Sequence, residues 1–229
     1  MKEKKTAITL IVLAVIIAIG VFIADIYGVL PEKVYTDADF GIETIKSGAD
    51  FDKDGTDDYA DIVVGAKLDA DNRPRYVSKY YADAYPPENE GVCTDLVWRA
   101  FASAGYSLKD MVDTDIRQTP DAYPEIEKRD ANIDFRRVPN LKIFFDRHAT
   151  SLTCDLNEIG EWQAGDIVIV NGTKHIGIVS DKRNRNGVPY LLHNGGQPDR
   201  EQDILESSSI TAHYRFDAMK IDPRVIRRF

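Results

Sequence analysis

Two apolar runs, Ile167–Val170 and His175–Ser180, flank the segment Asn171-Gly172-Thr173. Asn-Gly favours the left-handed turns whose twist matches paired antiparallel strands, so this stretch has one compact solution, a hairpin. A second polar turn, Asp181–Gly187, leads to a third apolar run over Val188–Asn194, and Ile210–Phe216 reads as a fourth strand. The first half has a different period. Apolar residues recur at helical spacing in Asp57–Leu68, Gly91–Ala104, Leu108–Asp115 and Asn140–His148, and a short helix is expected over Phe40–Ser47. Helices first and an antiparallel meander afterwards define an α+β domain.

Within Gly91–Ala104 (GVCTDLVWRAFASA), Leu96, Val97, Ala100, Phe101 and Ala104 form an apolar stripe. Cys93 opens this helix and continues the same stripe. A thiol at a helix N-terminus feels the positive end of the helix dipole, which lowers its pKa and suits a nucleophile. A lone cysteine on an apolar face is more often a small buried hydrophobe, so the assignment depends on whether the chain supplies a base. Tyr76, Tyr80, Tyr81 and Tyr85 precede the helix, where they either line a groove or pack ordinarily. Arg136 and Arg137 suit bidentate capture of a substrate carboxylate, although surface pairing with Asp130 and Asp134 is the simpler use.

Upstream, Asp50-Phe-Asp52-Lys-Asp54-Gly55-Thr56-Asp57-Asp58-Tyr-Ala-Asp61 places carboxylates at positions 1, 3, 5, 9 and 12 of a twelve-residue loop, with Gly at 6. That is the spacing by which an EF-hand-like loop wraps calcium, with Asp50, Asp52, Asp54, Asp58 and Asp61 as carboxylate ligands and the Thr56 carbonyl at position 7. Asp61 stands where Glu is usual, Asp57 occupies a normally apolar position, and there is no second loop. A solvated acidic turn is the competing reading. Mutual repulsion among so many carboxylates favours a bound calcium of structural role.

Residues Thr6–Ala24 are apolar and uncharged, long enough to cross a bilayer core, and follow Lys2, Lys4 and Lys5. The positive-inside rule makes this a single-pass anchor at the cell membrane with the remainder extracytoplasmic. A cleaved signal peptide is the alternative. The chain carries a net charge of −9 although this N-terminus is positive, so the exterior part is more acidic still and nucleic acid is excluded as a partner. Cys93 and Cys154 are the only cysteines, too few for a disulfide framework, and their pairing stays open.

In the second strand His175, Gly177 and Val179 share one face, and His193 closes the third strand. A thiolate nucleophile needs a base and a group that orients the base, and Cys93, His175 and His193 fill those places. His148 and His213 read as structural. GVCTDLVWRAFASAG, then WQAGDIVIVNGTKHIGIVSD, then YLLHNGG resemble the NlpC-type papain-like cysteine peptidases and amidases, over roughly Gly91–Asn194. More closely, the pattern is similar to a bacterial branch of that superfamily known only as a domain of unknown function. The resemblance implies a papain-like fold, Cys93 as nucleophile, His175 as base and His193 as orienting residue, with the Cys93 N–H in an oxyanion hole. It also implies hydrolysis of peptide or amide bonds in peptidoglycan peptides without a catalytic cofactor. Asp is missing before Cys93, and Asp95 appears two residues after it, as an auxiliary residue that adjusts the thiol or accepts a bond from the substrate, although its charge opposes thiolate formation. Asn194 competes with His193 for the third role.

The expected organisation is a cytoplasmic tip and membrane anchor over 1–28, a connector with the acidic loop and a helix over 29–75, and the papain-like domain over 76–229. Two further outcomes remain open on the same fold: a non-catalytic surface module that binds muropeptides or a protein partner, and an acyltransferase.

Overall fold

The computed structural model describes residues 10–20 and 33–229. Residues 10–20 form helix α1 with exposed apolar side chains. The rest of the Thr6–Ala24 run lies outside the described residues. Among the described residues no helix is long and apolar enough to cross a membrane. Tyr35–Phe229 form a compact unit of their own.

That unit is α+β. A single 3-10 turn, Asp37–Phe40, replaces the short helix expected over Phe40–Ser47, because Gly41 adopts a left-handed φ of 65° and stops it. Helix α2 (Asp58–Asn72) starts where the Asp57 carboxylate accepts the Tyr59 N–H, and runs a turn beyond the expected end to a left-handed Arg73. Helices α3 (Cys93–Ser103), α4 (Leu108–Gln118) and α5 (Val138–His148) follow. Ser107 caps α4, and Pro139 sits in the first turn of α5, where a missing N–H is harmless.

Strands β1 (Arg75–Tyr76) and β2 (Glu90–Gly91) make a small parallel pair just ahead of α3. The main sheet contains β3 (Thr150–Ser151), β4 (Ile167–Val170), β5 (His175–Arg183), β6 (Pro189–Leu192), β7 (Glu201–Gln202) and β8 (Ile210–Arg215). Its order is β3-β8-β4-β5-β6-β7, and every pairing is antiparallel. The expected hairpin forms, with Val170 opposite His175 and both Asn171 and Gly172 at positive φ.

The central strands are covered on both faces, which is why they read as continuous apolar runs. Ile167, Ile169, Ile176, Ile178 and Leu192 share a core with Leu96, Val97, Phe101 and Phe144 of the helices. Val168, Val170, Val179 and Leu191 face a second cluster around Trp162, Val188 and Leu205. The α3 stripe is fully buried, and Leu96, Val97 and Phe101 each contribute roughly 1.5–3 kcal/mol of burial. Ile62, Ala66 and Ala70 of α2 belong to the same core, so the segment after the acidic loop is built into the unit that carries Cys93.

Candidate functional site

The Cys93 helix begins with a buried charge pair. Asp95 reaches back so that its carboxylate accepts the Val92 N–H at 2.8 Å, half of a capping box. The same carboxylate accepts the Trp98 indole N–H and, bidentately, Nε and Nη2 of Arg136, each at 2.8 Å. Both side chains are almost wholly withdrawn from water, Asp95 at 0% and Arg136 at 2% exposure. Arg136 is therefore neither a surface residue paired with Asp130 or Asp134 nor a group free to hold a substrate carboxylate. Its remaining donor reaches the Lys79 carbonyl, and its guanidinium lies over the Tyr81 ring. Tyr81 in turn donates to Glu90, which Lys79, Tyr81 and Arg75 hold down to about 2. This network fixes the segment that leads into Cys93.

Cys93 is 5% exposed and lies in the core cluster that also holds Ile176 and Ile178 of β5, the strand that begins at His175. Burial pushes the thiol up to about 11; the N–H groups of Ile176 and Thr94 oppose the shift and the Asp95 charge adds to it. The helix N-terminus by itself lowers a thiol pKa, but here desolvation outweighs it. His175 Nε2 lies 2.8 Å from His193 Nδ1, with the two rings perpendicular. Burial lowers both imidazoles; His193, whose neighbour His175 adds to the effect, falls to about 4, so both are neutral at pH 7.

Gly177 makes the pairing of the histidines sterically feasible. A Cβ there would stand 2.7 Å from the Leu192 carbonyl oxygen and 3.1 Å from the His193 Cβ. Asn194 does not compete for the third role: its amide donates to the Pro74 and Gly91 carbonyls and ties β6 to the β1–β2 pair. Gln197, which no local pattern marked, donates to the His193 carbonyl at 3.1 Å and stands 3.2 Å from both ring nitrogens.

A cavity of about 370 Å³ opens over the thiol, lined by Tyr76, Val92, Cys93, Thr94, Arg137 and Lys174 among others. Of the four early tyrosines, Tyr76 alone lines it. Tyr85 packs against Trp98 and Phe135, and Tyr80 bonds Asp130 at the surface. His213 is stacked on Trp162 and paired with Asp166, and His148 lies 2.9 Å from Asp115, so both are structural. Cys93 and Cys154 are both free thiols, the first buried and the second exposed, so they do not pair.

In the acidic loop, Asp50, Asp52 and Asp54 bring carboxylate oxygens within 4.8 Å of one another. Asp58 stands outside that group. Its oxygens accept the Phe51 N–H at 2.8 Å and the Tyr106 hydroxyl at 2.5 Å, which commits it to the fold. Burial pushes Asp61 up to about 6, with Asp54, Asp52, Asp58 and Asp50 adding to the shift.

A family model described as a domain of unknown function, DUF1287, matches residues 63–216. The uncharacterized protein YijF of Escherichia coli (strain K12) is 39% identical over 149 residues, covering 62% of this chain and 72% of that protein. No solved structure matches. The family match runs from α2 to just past β8, so it takes in Cys93, His175 and His193 and leaves the Asp50–Asp61 loop outside. The chain belongs to the DUF1287 family.

Proposed function

We propose that the protein is a cysteine hydrolase of papain-like, NlpC-type architecture that cleaves peptide or amide bonds, with peptidoglycan peptides as its substrate class. The observation that carries this reading is the 2.8 Å bond between His175 Nε2 and His193 Nδ1, on a strand whose Ile176 and Ile178 share a core with Cys93. With the proton on His175 Nε2 and donated to His193, Nδ1 of His175 is bare and can act as a base. Because thiol and imidazole are both neutral at rest, the proton passes from sulfur to His175 as Cys93 attacks the carbonyl carbon. The oxyanion is received by backbone N–H groups at the start of α3, that of Cys93 among them. The imidazolium then protonates the leaving amine, and water, deprotonated by His175, splits the thioester. The exposed Arg137 and Lys174, against the single exposed Glu125, leave the cavity rim net positive and suited to a substrate with carboxylate groups.

The uncharged run Thr6–Ala24 behind three lysines supports a membrane anchor with the domain outside the cytoplasm. A second reading, a module that binds such peptides without turnover, is favoured by the thiol at about 11 and the buried carboxylate of Asp95 close behind it.

Mass spectrometry of purified muropeptides incubated with the protein separates the two. Fragments made by the unmutated chain and lost in Cys93→Ala and His175→Ala support the hydrolase. Binding without fragments in all three supports the module.

A further inference from the structure

The cavity over Cys93 carries charge that the fold does not consume. Arg137 and Lys174 both line it, both are exposed, and among the described residues neither side chain forms an ion pair or a hydrogen bond. Asp134, three residues before Arg137, is buried and accepts the Asp130 N–H at 2.7 Å. The remaining cation on the lining, Arg136, is spent on Asp95, and Glu125 is the one carboxylate there.

Both cations are fixed relative to the catalytic groups. Thr94, next to Cys93, donates its hydroxyl to the Arg136 carbonyl at 3.2 Å, so Arg137 begins one peptide away from the start of α3. Lys174 closes the turn between β4 and β5 and immediately precedes His175. One cation therefore stands beside the nucleophile's helix and the other beside the base, on a single cavity of about 370 Å³. That volume is at the small end of ligand sites, roughly 300–1,000 Å³, and suits a short peptide segment. Arg137 is also the N-cap residue of α5, whose first turn includes the cavity residues Val138 and Asn140 and adds its positive end to the same space.

We propose that Arg137 and Lys174 are specificity-determining residues, and that they select a peptide bearing a free carboxylate beside the scissile bond over the same peptide with that group amidated. The guanidinium of Arg137 takes the carboxylate bidentately, and Lys174 meets it as a point charge. An amide brings no charge and turns an NH₂ donor toward donors. The proposal rests on the peptide-cleaving reading for the identity of the scissile bond, but the selection itself shows in binding alone.

The test is calorimetric titration of the full chain carrying Cys93→Ala with purified muropeptides, and with the same muropeptides after carbodiimide-mediated amidation of their carboxyl groups. Amidation is expected to weaken binding by about 10-fold or more, the loss that a missing charged hydrogen bond gives. Arg137→Gln should bring the acids down to the affinity of the amides and leave the amides unchanged, and Arg137→Lys should restore only part of the difference. Lys174→Gln should cost the acids about 2–5-fold. The Arg137 side chain is exposed and unbonded, so Tm should hold in its variants; should one fail to fold, Lys174→Gln carries the comparison. Equal binding of acids and amides, an acid preference that survives both glutamine substitutions, or no binding of either form would each overturn the proposal. Turnover by the unmutated chain is read separately. Fragments without an acid preference would keep the hydrolase and remove the selectivity, and an acid preference without fragments would do the reverse.

Discussion

The pair Asp95–Arg136 offers the sharpest quantitative test of the packing behind Cys93. Every lone-pair direction of the Asp95 carboxylate faces a donor: Val92 N–H and Arg136 Nη2 on one oxygen, Trp98 Nε1 and Arg136 Nε on the other. Asp95→Asn must turn an NH₂ group toward two of those donors and leave the guanidinium without its counter-charge. Breaking a buried pair from one side costs about 3–5 kcal/mol, which for a domain of this size lowers Tm by roughly 6–20 °C. Arg136→Met alone should cost a similar amount, because it strands the carboxylate. The double variant Asp95→Leu/Arg136→Met should recover much of either loss, since no buried charge then stands alone. Urea unfolding followed by far-UV circular dichroism, with Asp95→Leu alone completing the double-mutant cycle, measures all four. A cost below about 1 kcal/mol for Asp95→Asn, or strictly additive losses in the double variant, would refute the argument.

Three further outcomes follow from the site. The alkylation rate of Cys93 by iodoacetamide should keep rising toward its thiol value of about 11, whereas a plateau near neutral pH would show a preformed thiolate. Gly177→Ala should destabilise the protein and slow turnover more than it alters substrate affinity, because its Cβ meets the Leu192 carbonyl at 2.7 Å; near-normal melting and rate would contradict this. His193 is held at about 4 when folded against 6.5 when free, so between those values the unfolded chain binds a proton that the folded chain refuses. Stability from this group is complete above pH 6.5 and lost as pH falls toward 4, by about 3 kcal/mol at most, and His193→Gln should flatten that part of the stability–pH curve.

What the sequence disclosed was local. The Asn171-Gly172 turn, the two strands beside it and the α3 stripe depend on near neighbours, and each stands where the pattern put it within a few residues. Where distant partners decide, the pattern was blind. Arg136 lies 41 positions from Asp95, and nothing in either segment marks the pair. Arg183 sits in a stretch that reads as a polar turn, yet β5 extends through it because Asp37 and the carbonyls of Ile159, Trp162 and Gly187 accept its donors in the interior. The thiol pKa escapes the sequence for a related reason: the helix dipole is visible in one segment, whereas the burial of Cys93 in the core requires the whole fold. The bond from the Tyr106 hydroxyl to Asp58 was equally hidden, because the two lie 48 residues apart.

Hydrolysis through Cys93 is tested most directly by digesting peptidoglycan peptides in water enriched in oxygen-18 and weighing the products by mass spectrometry. The unmutated protein should place one heavy oxygen in each newly formed carboxyl group, and Cys93→Ala should place none. Heavy-oxygen incorporation by Cys93→Ala at the unmutated rate, or peptides left intact by the unmutated protein, would contradict the account.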